Sequence, residues 1–258
     1  MIPSLSLLAV FVLIVIASVY FQTVTGFGLS MIVMGLAGGM GIASIATLAS
    51  VVCVVALVNS GVALGGAQRQ LDWPVAWQLT AGVLPASVLG VLVLDALSAT
   101  ATDVIQLLLG LVIVYGGISF AWRPRPLPEI SGGASFVAYG FVGGLLGGMF
   151  GIPGPPLIFH LYRQPMSLAH IRSLLIFINA VVALARTLFV GAQGQLGADV
   201  WVLSLICLPM VALATLAGKR YPPPLSTQAM RRLAFAVLIL MGLALMMPVL
   251  IGYGKALL

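Results

Sequence analysis

Two stretches carry residue types that could do chemistry: Thr23 to Ser30 (TVTGFGLS) and Gly143 to Pro156 (GGLLGGMFGIPGPP). Both lie inside apolar runs, and neither can continue an ordinary helix, because glycine loosens the backbone and proline removes a hydrogen-bond donor. The chemistry this suits is anion binding. A helix restarting after such a break presents free N–H groups and about half a positive charge at its N-terminus. Pro153, Pro155 and Pro156 fit a first helical turn, where a missing N–H costs least. Gly151 and Gly154 would let an oxyanion approach the backbone closely. Gly26 and Gly28 would do the same in the first stretch, where Thr25 and Ser30 add hydroxyl donors and Phe27 sits between the glycines. The competing reading is packing alone: Gly140, Gly144 and Gly148 form a small-xxx-small ridge, and Tyr20, Phe21 and Phe27 near the first break suit packing better than gating.

Polar side chains inside apolar segments are the next candidates, since each is expensive in hydrocarbon and faces a partner or a cavity. Asn59 and Asn179 stand in similar places after the two breaks, and each either contacts substrate or bridges helices. Arg186 is either a substrate counter-ion or a side chain that snorkels to the outer interface, with snorkelling favoured by its place near a helix end. Arg172, near the opposite end of the same segment, is explained by membrane orientation alone. His160 and His170 could shuttle protons, but no carboxylate is embedded beside them. Proton coupling would have to use His160, the substrate's own protonation or charge movement in the membrane potential.

The elements that must position these residues follow from composition. Of 258 residues, 62% are hydrophobic and 6% charged. Soluble domains carry about 25% charged residues, so this is a multi-pass, all-α membrane protein. The net charge of +6 orients loops rather than binding nucleic acid, for no basic cluster interleaves with aromatics. The first apolar run lacks a basic leader and reads as a retained segment. Cys53 and Cys207 have no partner spacing, so no metal or disulfide is expected. No cofactor is expected either. Trp73, Trp77, Trp122 and Trp201 read as interfacial anchors.

Each half reads as an interrupted segment followed by three spans: a hairpin over 4–40 with spans 42–66, 74–94 and 103–122, a linker at 123–133, then a hairpin over 134–162 with spans 168–190, 200–217 and 233–249. If the second interrupted segment returns to the side it came from, then Arg69, Arg123, Arg125, Arg163, Arg172, Lys219, Arg220, Arg231 and Arg232 share one face. That leaves Lys255 near the other surface and satisfies the positive-inside rule. Arms of roughly 20 Å follow for the second hairpin, from 1.5 Å per residue. Both termini then lie on the outer face, the halves are inverted repeats, and the two hairpin tips meet near mid-membrane. A binding site between interrupted helices is the expected consequence.

The chain also resembles the sulfite exporter TauE/SafE family of anion permeases, on TGFG at Thr25 to Gly28 and on G-x-x-G-G-x-x-G-I-x-G-x-x at Gly144 to Pro156. The first copy continues with Leu29 and Ser30 instead of further glycines and a proline, and the second has three prolines among its glycines. The resemblance implies transport of sulfite, a sulfonate or another small anion across a bacterial inner membrane, with export the first expectation and uptake of another organic anion the alternative. A homodimer is admitted but not required. An intramembrane enzyme would need a nucleophile and base, paired acids or metal ligands, and no span holds such a set. A membrane assembly factor would leave the two matched breaks without a purpose.

Overall fold

The computed structural model describes residues 4–65, 71–98, 101–121, 127–221 and 227–256, with the side chains at 120–121, 227–234 and 252–256 set aside. Arg69, Arg123, Arg125 and Trp122, and the side chains of Arg231, Arg232 and Lys255, therefore lie outside the described residues. Ten helices occupy this range: α1 (Leu5–Thr25), α2 (Leu29–Gly39), α3 (Ile45–Leu64), α4 (Trp73–Ser98), α5 (Thr102–Ala121), α6 (Gly133–Phe150), α7 (Gly154–Leu161), α8 (Leu168–Ala192), α9 (Ala198–Arg220) and α10 (Thr227–Ala256). Seven of them are long and apolar enough to cross a bilayer. Trp73, Trp77 and Trp201 are exposed in the first turns of α4 and α9.

The two breaks occur where glycine takes up backbone that other residues avoid. α1 ends at Gly26 (φ 93°), whose N–H donates to the Gln22 carbonyl at 2.7 Å, and α2 starts after Gly28 (φ 106°). α6 ends at Gly151 (φ 69°), whose N–H donates to the Gly147 carbonyl at 2.8 Å. These positive φ values close a helix cheaply only at glycine. Pro155 and Pro156 then sit in the first turn of α7.

The arms are unequal, which corrects the expectation of roughly 20 Å arms. With 21 and 18 residues, α1 and α6 are about 31 and 27 Å long. Their returns, 11 residues in α2 and 8 in α7, reach only about 16 and 12 Å. α7 folds back along α6. A Cβ on Gly143 would lie 3.0 Å from Leu157 Cγ, the His160 ring stacks on Tyr139 with centroids 4.1 Å apart, and Gln164 Nε2 donates to Ser131 Oγ at 3.0 Å. The second hairpin is thus entered and left at the same end.

Packing follows a regular scheme. α1 lies against α9 and α6 against α4; α2 against α10 and α7 against α5; α3 against α9 and α8 against α4; α3 and α8 pair with each other, as do α5 and α10. Small residues permit the α4–α6 crossing. A Cβ on Gly140 or Gly144 would stand 2.5 Å from the carbonyl oxygen of Leu79 or Val83. The packing reading therefore holds for the Gly140, Gly144 and Gly148 ridge, which faces α4, whereas Gly143 and Gly147 face α7 and α8. The close approach replaces the hydrophobic driving force that lipid does not supply.

Candidate functional site

A small cavity opens where the starts of α2 and α7 meet, against α8. Its lining is Gln22, Gly26, Phe27, Gly28, Ser30 and Met31 from the first break, Ile152, Pro153, Gly154 and Leu157 from the second, and Leu175 and Asn179 from α8. The lining contains no charged residue. Two breaks more than a hundred residues apart in sequence thus share one space, and Met31 and Phe27 lie directly against Gly154.

The donors around it are unequally supplied. First-turn N–H groups have no acceptor within their own helix. In α2 the Leu29 N–H is taken by Gln22 Oε1 at 3.1 Å, which leaves those of Ser30 and Met31. In α7 the second and third helical residues are Pro155 and Pro156, so Gly154 alone has an N–H to offer. Asn179 is 8% exposed, and its Nδ2 is buried with no hydrogen-bond partner among the described residues. A buried amide donor left unpaired costs about 1–3 kcal/mol. Placed at the wall of a cavity faced by two helix N-termini, it is a donor waiting for an acceptor, and the dipoles favour a negative one.

Seven of the twelve residues singled out from sequence line this cavity: Gly26, Phe27, Gly28, Ser30, Pro153, Gly154 and Asn179. The other five do not. Thr25 Oγ1 lies 2.8 and 2.9 Å from the Phe21 and Phe27 carbonyls, which share its one proton, and braces the break from inside. Gly151 backs onto α3 beside Ala49, Val52 and Cys53, and Pro155 packs on Gly116 of α5.

Asn59 is fully buried and fully used: Nδ2 donates to Thr23 and Thr215 hydroxyls, both at 2.9 Å, and Oδ1 accepts from Gln22 Nε2 at 3.0 Å. It bridges α1, α3 and α9 and fixes Gln22, which in turn caps α2. Arg186 is 2% exposed, which corrects the snorkelling expectation. Its Nε donates to the Gly148 carbonyl at 2.8 Å and its Nη1 to Ser50 Oγ at 2.9 Å. A cation on the carbonyl end of α6 satisfies an orphan acceptor and opposes the negative end of the helix dipole.

Sequence reasoning passed over Gln22, Met31, Ile152, Leu157 and Leu175. Gln22 carried a signal, as an amide in an apolar helix one turn before Gly26. Leu175 is one turn before Asn179 on the same face. The others are apolar residues that differ in nothing but position from their neighbours.

The profile of the family described as sulfite exporter TauE/SafE matches residues 10–245. The chain belongs to the sulfite exporter TauE/SafE family. It is also 53% identical, over 90% of its own length and 91% of the relative's, to the probable sulfite/organosulfonate exporter TauE of Cupriavidus necator. No solved structure matches the chain. Membership of TauE/SafE makes this multi-pass membrane protein a transporter by family, and the cavity is lined by part of each glycine motif on which the resemblance rests, Gly26 to Gly28 and Ile152 to Gly154. His160, the proton-shuttle candidate, stands away from the cavity lining, with Ser135 Oγ 3.3 Å from its Nε2 and Tyr139 stacked on its ring.

Proposed function

We propose that the chain is a secondary transporter that exports a small sulfur oxyanion, sulfite or an organosulfonate, across the bacterial inner membrane by alternating access. The observation that carries this is the unpartnered Asn179 amide in a cavity where two interrupted helices start, with no acidic group in the lining. The name of the Cupriavidus necator relative supplies the substrate class. In this reading the oxyanion accepts from Asn179 Nδ2, from the Ser30, Met31 and Gly154 N–H groups and from Ser30 Oγ. The remaining apolar walls fit the carbon stub of a sulfonate.

The halves, 1–122 and 134–258, are inverted repeats in this proposal, with both termini periplasmic. The packing scheme supports it, because exchanging α1–α5 for α6–α10 maps each paired contact named above onto another or onto itself. Such an exchange of equivalent arrangements is the basis of alternating access in repeat transporters. Any proton coupling would follow the substrate's own protonation or the membrane potential, since His160 is outside the cavity. Uptake of another organic anion is the alternative, and direction would then follow the imposed gradients.

The test is flux in proteoliposomes holding the purified chain. Saturable sulfite efflux, competed by ethanesulfonate and lost in Asn179→Leu at unchanged expression, is the expected result. Sulfite flux equal to that of empty liposomes would remove the substrate assignment.

A further inference from the structure

Helices α3 and α8 begin alike. Ser44 and Ser167 each accept a hydrogen bond from the N–H three residues on, Thr47 at 3.1 Å and His170 at 3.3 Å, and the sequences from those caps, SIATLAS and SLAHIRS, keep step. The fifth residue of each helix lies against a break: Arg172 against Gly26 and Ala49 against Gly151. In that register Ala49, Ala56 and Ala63 of α3 correspond to Arg172, Asn179 and Arg186 of α8. Positions seven apart share a helix face and are separated by about 10 Å along the axis. The same face therefore holds only methyl groups in α3, but two cations around an amide in α8.

The two arginines are held differently. Arg186 is locked onto α6 and α3. Arg172 is half-buried, and its guanidinium makes no hydrogen bond or ion pair among the described residues. Its stem is pressed onto the first break, where a Cβ on Gly26 would lie 3.1 Å from both its Cα and Cγ. Since Gly26 and Leu175 line the cavity, the stem of Arg172 is anchored beside that lining, two turns before Asn179. Orientation in the membrane asks only for cations in loops. It gives no reason to press one on a helix break, or to leave it without an anion.

We infer that Arg172 is a staging site for the transported oxyanion, which pairs with its guanidinium at the rim before moving about 10 Å along α8 to Asn179. This rests on the anion-transport reading above. The glycine at 26 is what lets the stem lie on the break, and the absence of a resident carboxylate among the described residues keeps the cation free for a mobile anion. A cation so placed raises the local anion concentration, an effect screened by salt.

Sulfite flux in proteoliposomes tests this with Arg172→Gln, Arg172→Lys and Asn179→Leu, at ionic strengths of about 10 and 100 mM, between which the screening length falls from about 30 to about 10 Å. The staging role predicts that R172Q raises KM about tenfold, leaves kcat within about twofold and flattens the rise of KM with salt seen in the wild type. R172K keeps KM within about threefold. Unchanged KM and salt dependence in R172Q, with wild-type flux saturable and lost in N179L, overturns the staging role alone. Absence of saturable sulfite flux in the wild type removes the transport reading as well. Should R172Q fail to insert, R172K decides: near-wild-type transport supports the role, and loss of transport in inserted R172K overturns it.

Discussion

The two breaks meet at one cavity but are made of different chemistry. At the first, Gly26 and Gly28 turn the chain, and Gln22 reaches from α1 to hold the start of α2 through a buried network with Asn59, Thr23 and Thr215. At the second, Gly151 turns the chain, prolines open α7, and Arg186 covers the carbonyl end of α6 from outside. The first leaves two free backbone donors and the second leaves one. In the proposed reading, directional recognition therefore belongs to α2 and Asn179, while the second break supplies a stiff wall and a helix dipole. A broken helix in a membrane can thus be made for binding or for shape, and proline decides which by removing donors.

The largest effect should come from crowding the first break. Gly28→Val places a branched side chain at φ 106° with its Cβ 2.8 Å from the Phe21 ring, adding about 1–3 kcal/mol of backbone strain to about 1–3 of overpacking. At Gly151 a Cβ would meet nothing nearer than 3.6 Å, so Gly151→Val is less crowded and bears mainly the strain. Thermal unfolding in detergent should rank wild type above G151V above G28V, and equal losses would break the comparison. Asn179→Leu should abolish saturable sulfite flux in proteoliposomes. Its thermal stability should hold or rise, because an unpaired buried amide worth about 1–3 kcal/mol is removed.

Gln22→Leu strips the Leu29 N–H and the Asn59 carbonyl of their partner, at about 1–3 kcal/mol. A lower unfolding temperature together with a higher KM is expected, and a lower temperature alone would make Gln22 purely structural. Pro155→Ala should change least. It restores an N–H in the first turn of α7, so stability should stay within about 1 kcal/mol and the sulfite KM should hold or fall.

Long apolar segments and the two breaks were legible because both are local properties of chain composition. Arm lengths were not, since α1 and α6 extend as far as their packing on α9 and α4 carries them. Asn59 and Asn179 are the same residue in similar places, yet only one is saturated. What separates them is the set of Gln22, Thr23 and Thr215 side chains, 37, 36 and 156 positions along the chain from Asn59. Arg186 looked like an interfacial residue from its position near a helix end, and only the nearby Gly148 carbonyl and Ser50 hydroxyl reveal it as a buried cap. One signal was legible and unused. SIATLAS and SLAHIRS repeat each other, and that register sets Arg172, Asn179 and Arg186 against three alanines.

The central claim is that the oxyanion is held between the two breaks at Asn179. Selenite, which replaces the sulfur of sulfite by a strong anomalous scatterer, tests it in a crystal of the transporter. The account predicts one dominant anomalous peak within hydrogen-bond reach of Asn179 Nδ2 and the Ser30 N–H. A dominant peak elsewhere, with the cavity empty, would contradict it.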